Sequence, residues 1–450
     1  MAPKFGTSGL RGLVTELTEP LVAAHVRAFL TACDTGGAVY IGGDLRPSTA
    51  ALMETVSRTV TGMGARAVLC GTVPTPALAL VAREAKASAI MVTGSHIPAD
   101  RNGLKFYSRA GEITKDDEAA ITAALDTAPG SGGGTTTRDT RVAARYRARY
   151  ATAFGEALNG QRIGLYAHSA VGRDLLAEIL LDAGAEVVEL GRADHFIPID
   201  TEAISGELRC QLRDWAAGGR FNAIVSTDGD SDRPLITDVA GTVIPGDLLG
   251  QITAELLGAH SVVTPISSNP GVAQKGFAEL LLTRIGSPFV IAGMETAQGP
   301  ALGYEANGGT LLGFDAQGPA GPLPALPTRD AVLPILAVLT ASEGDVAARV
   351  RREPPVFTAA DRLTDIDREG ADPLLKQLDR DPTPLLAPGE TVASCDHTDG
   401  PRWTLSDGAV LQLRPSGNAP ELRIYTVADT PEAAAALLDR TRARMQDLLT

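Results

Sequence analysis

Residues 90–107 read Ile-Met-Val-Thr-Gly-Ser-His-Ile-Pro-Ala-Asp-Arg-Asn-Gly-Leu-Lys-Phe-Tyr, and this stretch indicates how the chain is built. The apolar run from Ala89 to Val92 is typical of a buried strand, and it stops at Thr93-Gly94-Ser95-His96. A hydroxyl and an imidazole therefore stand at the end of a strand, where α/β proteins gather their chemistry. The Asn102-Gly103 pair predicts a turn that brings Lys105 back toward them.

Outward from this stretch, short β-rich runs alternate with alanine-rich amphipathic runs. Residues 39–44 and 67–71 are predicted strands, and residues 48–62 between them are a predicted helix. A repeated strand–helix–strand order of this kind implies an α/β fold with parallel sheets.

Glycine and proline mark the predicted boundaries between units. Residues 129–137 are interpreted as a flexible linker, and residues 318–327 as a Pro-rich surface loop. A third unit is predicted to begin near residue 244, and Arg352-Glu353-Pro354-Pro355 marks the last boundary. The sequence therefore predicts units at residues 1–140, 141–243, 244–351 and 352–450.

The bulk composition restricts the possible partners and location. The 450 residues are too many for one core, and 54 acidic against 40 basic residues give a net charge of −14. Such a field predicts no nucleic-acid partner and no anionic membrane partner, and no apolar run is long enough to span a bilayer. The four cysteines form no Cys-x-x-Cys pair, which disfavours a zinc site or a disulfide framework and predicts a cytoplasmic protein.

Ser95 is a candidate nucleophile. A serine hydroxyl reacts poorly unless a neighbouring base or cation assists it, and His96 and Lys105 are the candidates for that role. The alternative is that Ser95 caps a helix while His96 lies on the surface. No Gly-x-Ser-x-Gly elbow is present, which disfavours acyl transfer.

Three aspartates alternate directly after a predicted strand, at positions 228, 230 and 232. This spacing can direct their oxygens at one hard cation such as Mg²⁺. An EF-hand would need glycine in place of Arg233 and glutamate in place of Val239, so that class is excluded. A solvated acidic turn is the alternative, although three close carboxylates repel one another without a cation. Arg233 is then placed to bind a phosphate beside the metal.

Two glycine-containing loops are candidate binding sites. Gly303-Tyr304-Glu305-Ala306-Asn307-Gly308-Gly309 frees its backbone to approach a ligand, and Glu305 can accept hydrogen bonds from sugar hydroxyls. Residues 413–423 combine a glycine turn, polar side chains and flanking arginines, a composition that suits phosphate. The alternatives are a solvated glutamate and an ordinary Pro/Gly hairpin.

These four loops together resemble, in chain order, the phosphoserine, metal-binding, sugar-specificity and phosphate-binding loops of the α-D-phosphohexomutases. Residues 5–12 are similar to the opening motif of that superfamily, in which Arg11 would border the active site. Residues 42–48 resemble a further segment that we interpret as structural. The resemblance implies three related α/β domains with mixed sheets, plus a smaller C-terminal α+β domain, around a central cleft.

The resemblance also implies a reaction, in which mannose 1-phosphate and mannose 6-phosphate interconvert through a hexose 1,6-bisphosphate that also acts as activator. Ser95 would carry the phosphoryl group, and Mg²⁺ would bind Ser95 with Asp228, Asp230 and Asp232. Lys105 with Arg11 is the first candidate for proton transfer and charge stabilisation, and His96 is the second. The implied substrate-binding residues are Arg233, Glu305, Asn307, Arg414, Ser416, Gly417, Asn418 and Arg423.

Departures from the family pattern keep some alternatives open. Ile97 stands where relatives often have asparagine, and residues 264–268 lack a lysine that some relatives carry. The Glu-Ala-Asn-Gly-Gly form of the third loop resembles one branch of bacterial phosphomannomutases and disfavours a glucosamine substrate. A glucose or dual specificity and a non-catalytic sugar-phosphate-binding protein remain as alternatives, and both a monomer and a homodimer are possible.

Overall fold

A computed structural model describes residues 3–5, 9–366, 368–415 and 421–449. Four large sheets account for the architecture, and the strands of each sheet lie within one of the four predicted units. The predicted α/β class with mixed sheets and a separate C-terminal unit is confirmed. The unit boundaries themselves remain a prediction.

The first unit is a mixed sheet with helices on both faces. The strands run in the order β1-β2-β6-β5-β3-β4-β8, with β7 added beside β6. Alternate residues of β3 point to opposite faces, so that Val39 and Ile41 pack in one core and Tyr40 in another. Its elements are β1 (Lys4–Phe5), β2 (Gly9–Leu13), α1 (Glu19–Ala32), β3 (Ala38–Gly43), α2 (Thr49–Gly62), β4 (Arg66–Thr72), α3 (Thr75–Glu84), β5 (Ser88–Val92), β6 (Arg101–Ser108), β7 (Gly111–Glu112), α4 (Lys115–Ala123) and β8 (Thr136–Arg138).

The second unit has a smaller sheet in the order β10-β9-β11-β12, in which only β12 is antiparallel to its neighbour. Its elements are α5 (Val142–Phe154), β9 (Arg162–Tyr166), α6 (Arg173–Asp182), β10 (Glu186–Leu190), α7 (Gly206–Gly219), β11 (Ala223–Thr227) and β12 (Pro234–Ile236).

The third unit repeats this plan with the strand order β14-β13-β15-β16-β19 and a separate β17–β18 hairpin. A 3₁₀ helix spans Pro270–Gln274. Its other elements are α8 (Gly246–Leu256), β13 (Ser261–Pro265), β14 (Glu279–Thr283), α9 (Ser287–Thr296), β15 (Ala301–Tyr304), β16 (Thr310–Leu312), β17 (Ala316–Gln317), β18 (Pro322–Leu323), β19 (Leu326–Asp330), α10 (Val332–Ser342) and α11 (Val346–Val350).

The C-terminal unit is an antiparallel sheet in the order β20-β24-β23-β22-β21, against which two helices pack. A 3₁₀ helix spans Thr383–Leu385. Its other elements are β20 (Phe357–Thr364), α12 (Arg368–Arg380), β21 (Val392–Asp396), β22 (Arg402–Leu405), β23 (Val410–Pro415), β24 (Glu421–Ala428) and α13 (Pro431–Leu449). Among the described residues, no helix combines the length and apolar character that crossing a bilayer requires.

The first three units share one topological position for their functional loops. In each unit parallel strands lie side by side, and the parallel strand at one edge of the set (β5, β11 or β15) pairs with an antiparallel strand that follows it. The connection between those two strands carries Ser95 in the first unit, the three aspartates in the second and Glu305 in the third. The same topological position in three similar sheets therefore carries the candidate nucleophile, the candidate metal ligands and the candidate sugar ligand.

The Asn102-Gly103 turn prediction is wrong, since both residues lie inside β6, which pairs with β2 and β5. The chain reverses earlier, between β5 and β6. Glycine is needed at position 103 for close approach, because a Cβ there would lie 2.3 Å from the carbonyl oxygen of Leu10. The Asn102 amide donates to the Ser48 hydroxyl at 2.8 Å, so the side chain that suggested a turn instead ties β6 to α2.

Two Gly- and Pro-rich runs are also more ordered than predicted. The run at 129–137 packs on the end of α2, with the N–H of Gly132 bonded to the Gly62 carbonyl, and then enters β8. The run at 318–327 contains β18 and the start of β19, and the N–H of Ala320 donates to the carbonyl of Ala153 on α5. Glycines permit this close backbone packing, and composition alone did not show that either run is hydrogen-bonded to a helix.

Candidate active site

The Ser95 loop of the first unit meets the aspartate loop of the second unit. Ser95 is fully buried, and its Oγ donates a hydrogen bond to Asp228 Oδ2 at 2.6 Å. The two residues are far apart in sequence, and each follows directly after a buried strand. The predicted nucleophile and the first predicted metal ligand are therefore in contact.

Arg46 holds the Ser95 loop in place from behind. Ser95 has a left-handed backbone, with φ at +53°, a conformation that costs energy for a residue with a side chain. The Arg46 guanidinium is bound to the Asp44 carboxylate and stacks on Phe196 at 4.0 Å. It donates to four backbone carbonyls of the loop, those of Ser95, Ile97, Pro98 and Arg101. The structural interpretation of the Asp44–Arg46 segment agrees with these contacts, although the sequence did not show which loop it supports.

The three aspartates present a site for a hard cation. One ligand atom from each lies within 4.8 Å of the other two, and all three side chains are buried. Asp230 Oδ1 and Asp232 Oδ1 have no hydrogen-bond partner among the described residues. Burial raises the pKa of Asp228 well above its usual range, and the charges of Asp230 and Asp232 raise it further. Buried carboxylate oxygens without donors fit Mg²⁺, which binds oxygen ligands and would relieve this repulsion.

Lys105 neutralises part of this negative charge. Its Nζ lies 2.6 Å from Asp230 Oδ2 and 2.5 Å from Asp232 Oδ2. Burial alone would raise the pKa of Asp230, but the Lys105 ammonium overrides it, and the pKa falls below its ordinary value. Thr75 on α3 donates a further hydrogen bond to Asp230 Oδ2 at 2.5 Å, a contact that no sequence pattern indicated.

Ser231 has an unusual backbone conformation in the aspartate loop. Its φ is +60°, in the left-handed region that favours glycine. The Ser231 Oγ accepts hydrogen bonds from the N–H of Gly172 at 3.0 Å and from Thr227 Oγ1 at 2.9 Å. These two bonds offset the backbone cost and fix the loop against the start of α6.

His96 is held as a neutral imidazole beside the nucleophile. Its Nδ1 lies 2.9 Å from Arg233 Nη1 and 3.3 Å from Ser95 Oγ. Burial lowers the pKa of His96 well below its usual value, and the charges of Arg233 and Arg11 lower it further. Burial followed by Arg233 and Arg329 also lowers the pKa of Arg11 to about 10, so Arg11 stays charged at neutral pH. The part of the opening motif at residues 6–8 lies outside the described residues.

Arg329 is a component of the site that the sequence did not reveal. It is 3% exposed at the end of β19, and its Nη1 lies 3.3 Å from Glu305 Oε2. Its Nη2 lies 3.2 Å from Asp232 Oδ2. It therefore supplies a cation on the third unit, where residues 264–268 lack the lysine of some relatives. No motif marks it, because a single arginine after the Pro-rich run has no diagnostic spacing.

Asn307 shapes the loop that the sequence predicts to bind the sugar. Its Oδ1 accepts a hydrogen bond from the N–H of Gly309 at 3.0 Å, and its carbonyl accepts one from Thr201 at 2.9 Å. The first contact closes the turn after Glu305. Its predicted substrate contact remains a prediction, and these bonds give it a local structural role as well.

The C-terminal unit brings Arg423 to the cavity that Arg11 and His96 also line. Arg423 on β24 lines a cavity of about 850 Å³ together with Arg11 and His96, and its Nη1 lies 3.4 Å from Glu202 Oε2. Arg414 on β23 is bound to Asp399 at 2.9 Å. Ser416, Gly417 and Asn418, the predicted centre of the phosphate-binding loop, lie outside the described residues.

Comparisons with known proteins show which family this chain is similar to. Residues 2–129 match the family described as phosphoglucomutase/phosphomannomutase, alpha/beta/alpha domain I. The chain is 44% identical over 464 residues to a phosphomannomutase of Sinorhizobium fredii, covering 97% of this chain and 98% of the relative. It is 40% identical to a phosphomannomutase of Salmonella muenchen, with coverage of 99% and 96%.

A solved structure shows the same fold. The phosphoglucomutase/phosphomannomutase family protein of Burkholderia thailandensis superposes with a TM-score of 0.79 at 20% identity, covering 98% of this chain and 97% of that one.

Proposed function

This chain belongs to the phosphoglucomutase/phosphomannomutase family of α-D-phosphohexomutases, and on that premise we propose that it interconverts mannose 1-phosphate and mannose 6-phosphate. The observation that carries the proposal is the 2.6 Å contact between Ser95 Oγ and Asp228 Oδ2. A buried hydroxyl beside a cation site is suited to receive and donate a phosphoryl group. A protein that only binds sugar phosphates does not need such a hydroxyl.

Ser95 carries the phosphoryl group in the proposed cycle. The bond between phosphorus and Ser95 Oγ breaks as a bond to the free hydroxyl of the hexose phosphate forms, which gives a hexose 1,6-bisphosphate. This intermediate turns over in the cleft and returns its other phosphoryl group to Ser95. A bound Mg²⁺ at Asp228, Asp230 and Asp232 would offset the charge of the phosphoserine, which is about −1.5 to −2 at neutral pH.

The surrounding cations have separate roles in this proposal. Lys105 lies between two carboxylates, with its Nζ 2.6 Å from Asp230 Oδ2 and 2.5 Å from Asp232 Oδ2. We assign Lys105 to charge stabilisation and to proton transfer, in which it donates a proton to Ser95 Oγ as the phosphoryl group leaves and regains one from the attacking sugar hydroxyl. Neutral His96 accepts a hydrogen bond from Arg233, which orients that arginine toward the transferring phosphoryl group.

The distal phosphate and the sugar ring are recognised from the other units. Arg423 lines the cleft, and Arg414 leads into the predicted phosphate-binding loop. Glu305 is the proposed acceptor for sugar hydroxyls, with its carboxylate fixed by Arg329. The mannose preference rests on the two relatives named phosphomannomutase, and glucose 1-phosphate is the alternative substrate because the sugars differ only at C2.

A coupled mutase assay with Mg²⁺ and a trace of hexose 1,6-bisphosphate, run with each sugar 1-phosphate, tests the proposal. We expect faster turnover of mannose 1-phosphate and a lag without the bisphosphate, which we propose primes Ser95. Ser95→Ala should abolish turnover, whereas Ser406→Ala, at an exposed serine outside the cleft, should not. Equal or reversed preference would replace the mannose assignment, and activity in Ser95→Ala would refute the mechanism.

A further inference from the structure

Three side chains of different chemistry converge on the C-terminal unit, outside the cleft. They are Asp379 in the last turn of α12, Cys395 in β21 and His397 just after β21. Asp379 Oδ1 and His397 Nε2 are 2.8 Å apart. Cys395 Sγ lies 3.7 Å from the same nitrogen and 3.8 Å from the same oxygen.

The fold explains why these residues meet. Residues two apart on an extended chain point to the same side, so Cys395 and His397 present a thiol and an imidazole together. Helix α12 packs on the same sheet through Leu375 and Leu378, and its last turn brings Asp379 over them. The cluster lies at the surface, where solvent and ions reach it.

The geometry distinguishes a metal site from a nucleophilic triad. In a triad the base uses one ring nitrogen for the nucleophile and the other for the orienting carboxylate. Here one nitrogen of His397 faces both the thiol and the carboxylate. The sulfur, nitrogen and oxygen atoms therefore lie within 3.8 Å of one another, close enough to share one cation.

We propose that Asp379, Cys395 and His397 bind a zinc-type transition-metal ion, with water completing a tetrahedral site. Thiolate and imidazole are ligands that Zn²⁺ prefers and Mg²⁺ does not. Metal–ligand bonds of about 2.0–2.3 Å place tetrahedral ligands about 3.3–3.6 Å apart. The distances from Cys395 Sγ to His397 Nε2 and to Asp379 Oδ1 are close to this spacing. When a metal binds, the hydrogen bond between His397 Nε2 and Asp379 Oδ1 is replaced by a bond from each atom to the metal.

This cluster differs from the zinc sites with Cys-x-x-Cys pairs that the sequence disfavours. The absence of Cys-x-x-Cys pairs disfavours sites built from several cysteines, whereas here one cysteine acts with a histidine two residues later and a distant aspartate. The sequence expectation that disfavours a zinc site rested on Cys-x-x-Cys spacing and did not consider a cluster of this kind.

The position of the cluster gives the metal a structural consequence. The carbonyl of Thr398, next after His397, accepts a hydrogen bond from Arg284 of the third unit at 3.1 Å. Asp399 binds the N–H of Ile285 at 2.9 Å and the guanidinium of Arg414 at 2.9 Å. A metal that joins α12 to this turn would stabilise the contact between the two units and the strand that carries Arg414.

Cobalt substitution tests the proposal on the full-length protein. The metal-free protein, kept reduced by a non-thiol reductant and saturated with Mg²⁺ to fill the aspartate site, is titrated with Co²⁺. We expect one equivalent to produce a thiolate-to-cobalt charge-transfer band in the near ultraviolet and the visible bands of tetrahedral cobalt. Zn²⁺ should displace the cobalt and raise the melting temperature.

Variants assign the signal to the cluster. Cys395→Ser should abolish the charge-transfer band, and His397→Ala should weaken Co²⁺ binding by about 100-fold or more. Cys210→Ser is the matched control, since Cys210 is also exposed but lies outside the cluster, and it should retain the band and the thermal shift. The proposal is overturned if wild type shows no thiolate band, if Cys395→Ser keeps it, or if Cys210→Ser loses it.

Discussion

Arg329 Nη2 lies 3.2 Å from Asp232 Oδ2, and this contact joins the third unit to the candidate metal site in the second. The same guanidinium lies 3.3 Å from the Glu305 carboxylate. Burial alone would lower the pKa of Arg329, but the charges of Asp232, Glu112 and Glu305 raise it well above its usual value. Arg329 therefore couples the proposed sugar ligand to the proposed metal ligand.

Arg329→Gln should lower kcat/KM by on the order of 100-fold, the effect of removing one charge-stabilising group from an active site. Arg329→Lys should recover part of the loss, because lysine restores the positive charge but lacks the two guanidinium nitrogens that reach Glu305 and Asp232. Steady-state kinetics measures the effect, with Arg351→Gln, at an exposed arginine, as control. Circular dichroism melting separates a loss of chemistry from a loss of fold, and wild-type kinetics in folded Arg329→Gln would contradict the assignment.

Lys105→Met should tighten Mg²⁺ binding while it lowers kcat. Removing the ammonium leaves Asp230 and Asp232 with uncompensated charge, which attracts a divalent cation more strongly. The same removal eliminates the proposed proton donor. The Mg²⁺ dependence of activity and direct titration by calorimetry measure both effects, and Lys115→Met at an exposed lysine is the control. Weaker Mg²⁺ binding in Lys105→Met would show that the lysine supports the metal site in another way.

Ser231→Ala should destabilise the protein more than Ser231→Gly. Both variants lose the hydrogen bonds to Gly172 and Thr227, each worth about 1 kcal/mol. Glycine also removes the cost of the left-handed backbone, about 1–2 kcal/mol, whereas alanine retains it. Urea unfolding of the two variants measures the difference. Equal stability would mean that the φ of +60° carries no cost in this loop.

Asp247 should make stability fall as pH rises through the acidic range. Its carboxylate accepts hydrogen bonds from Asn269 and Leu248, but burial raises its pKa from 3.8 to about 6. As pH rises, the unfolded chain loses this proton near pH 3.8, whereas the folded chain keeps it until about pH 6. The stability that the protonated carboxyl contributes is therefore fully present below pH 3.8 and is lost by about pH 6. This difference between the folded and unfolded pKa values of Asp247 corresponds to about 3 kcal/mol in the free energy of unfolding.

Asp247→Asn removes this titration. The free energy of unfolding of the variant, relative to wild type, should therefore rise between pH 4 and pH 6 by up to about 3 kcal/mol. Denaturant titrations across this range provide the measurement, with Asp429→Asn at an exposed carboxylate as control. A pH-independent difference between Asp247→Asn and wild type would contradict the raised pKa.

The sequence was sufficient for the parts of the site that follow buried strands. Ser95 and Asp228 could be predicted because an apolar run that ends at polar residues locates the edge of a sheet, and the two residues meet there. The family resemblance supplied the order of the loops. That the enzyme works in the cytoplasm remains a prediction.

What the sequence could not show depends on contacts between distant segments. Arg46 and Arg329 act through partners that become neighbours only in the folded chain. Gly103 was misread for the same reason, because its close approach to Leu10 requires the strand β2 that lies far from it in sequence. The turn propensity of Asn102-Gly103 was outweighed by the pairing of β6 with β2 and β5, which the dipeptide alone does not encode.

The most direct test of the central claim is the intact mass of the protein and of its Ser95 peptide, before and after exposure to mannose 6-phosphate. We predict one phosphoryl group on Ser95 after priming with hexose 1,6-bisphosphate, and its loss when excess mannose 6-phosphate is added and bisphosphate is released. Ser95→Ala should carry none. A phosphoryl group on another residue, or turnover without any phosphorylated Ser95, would contradict the account.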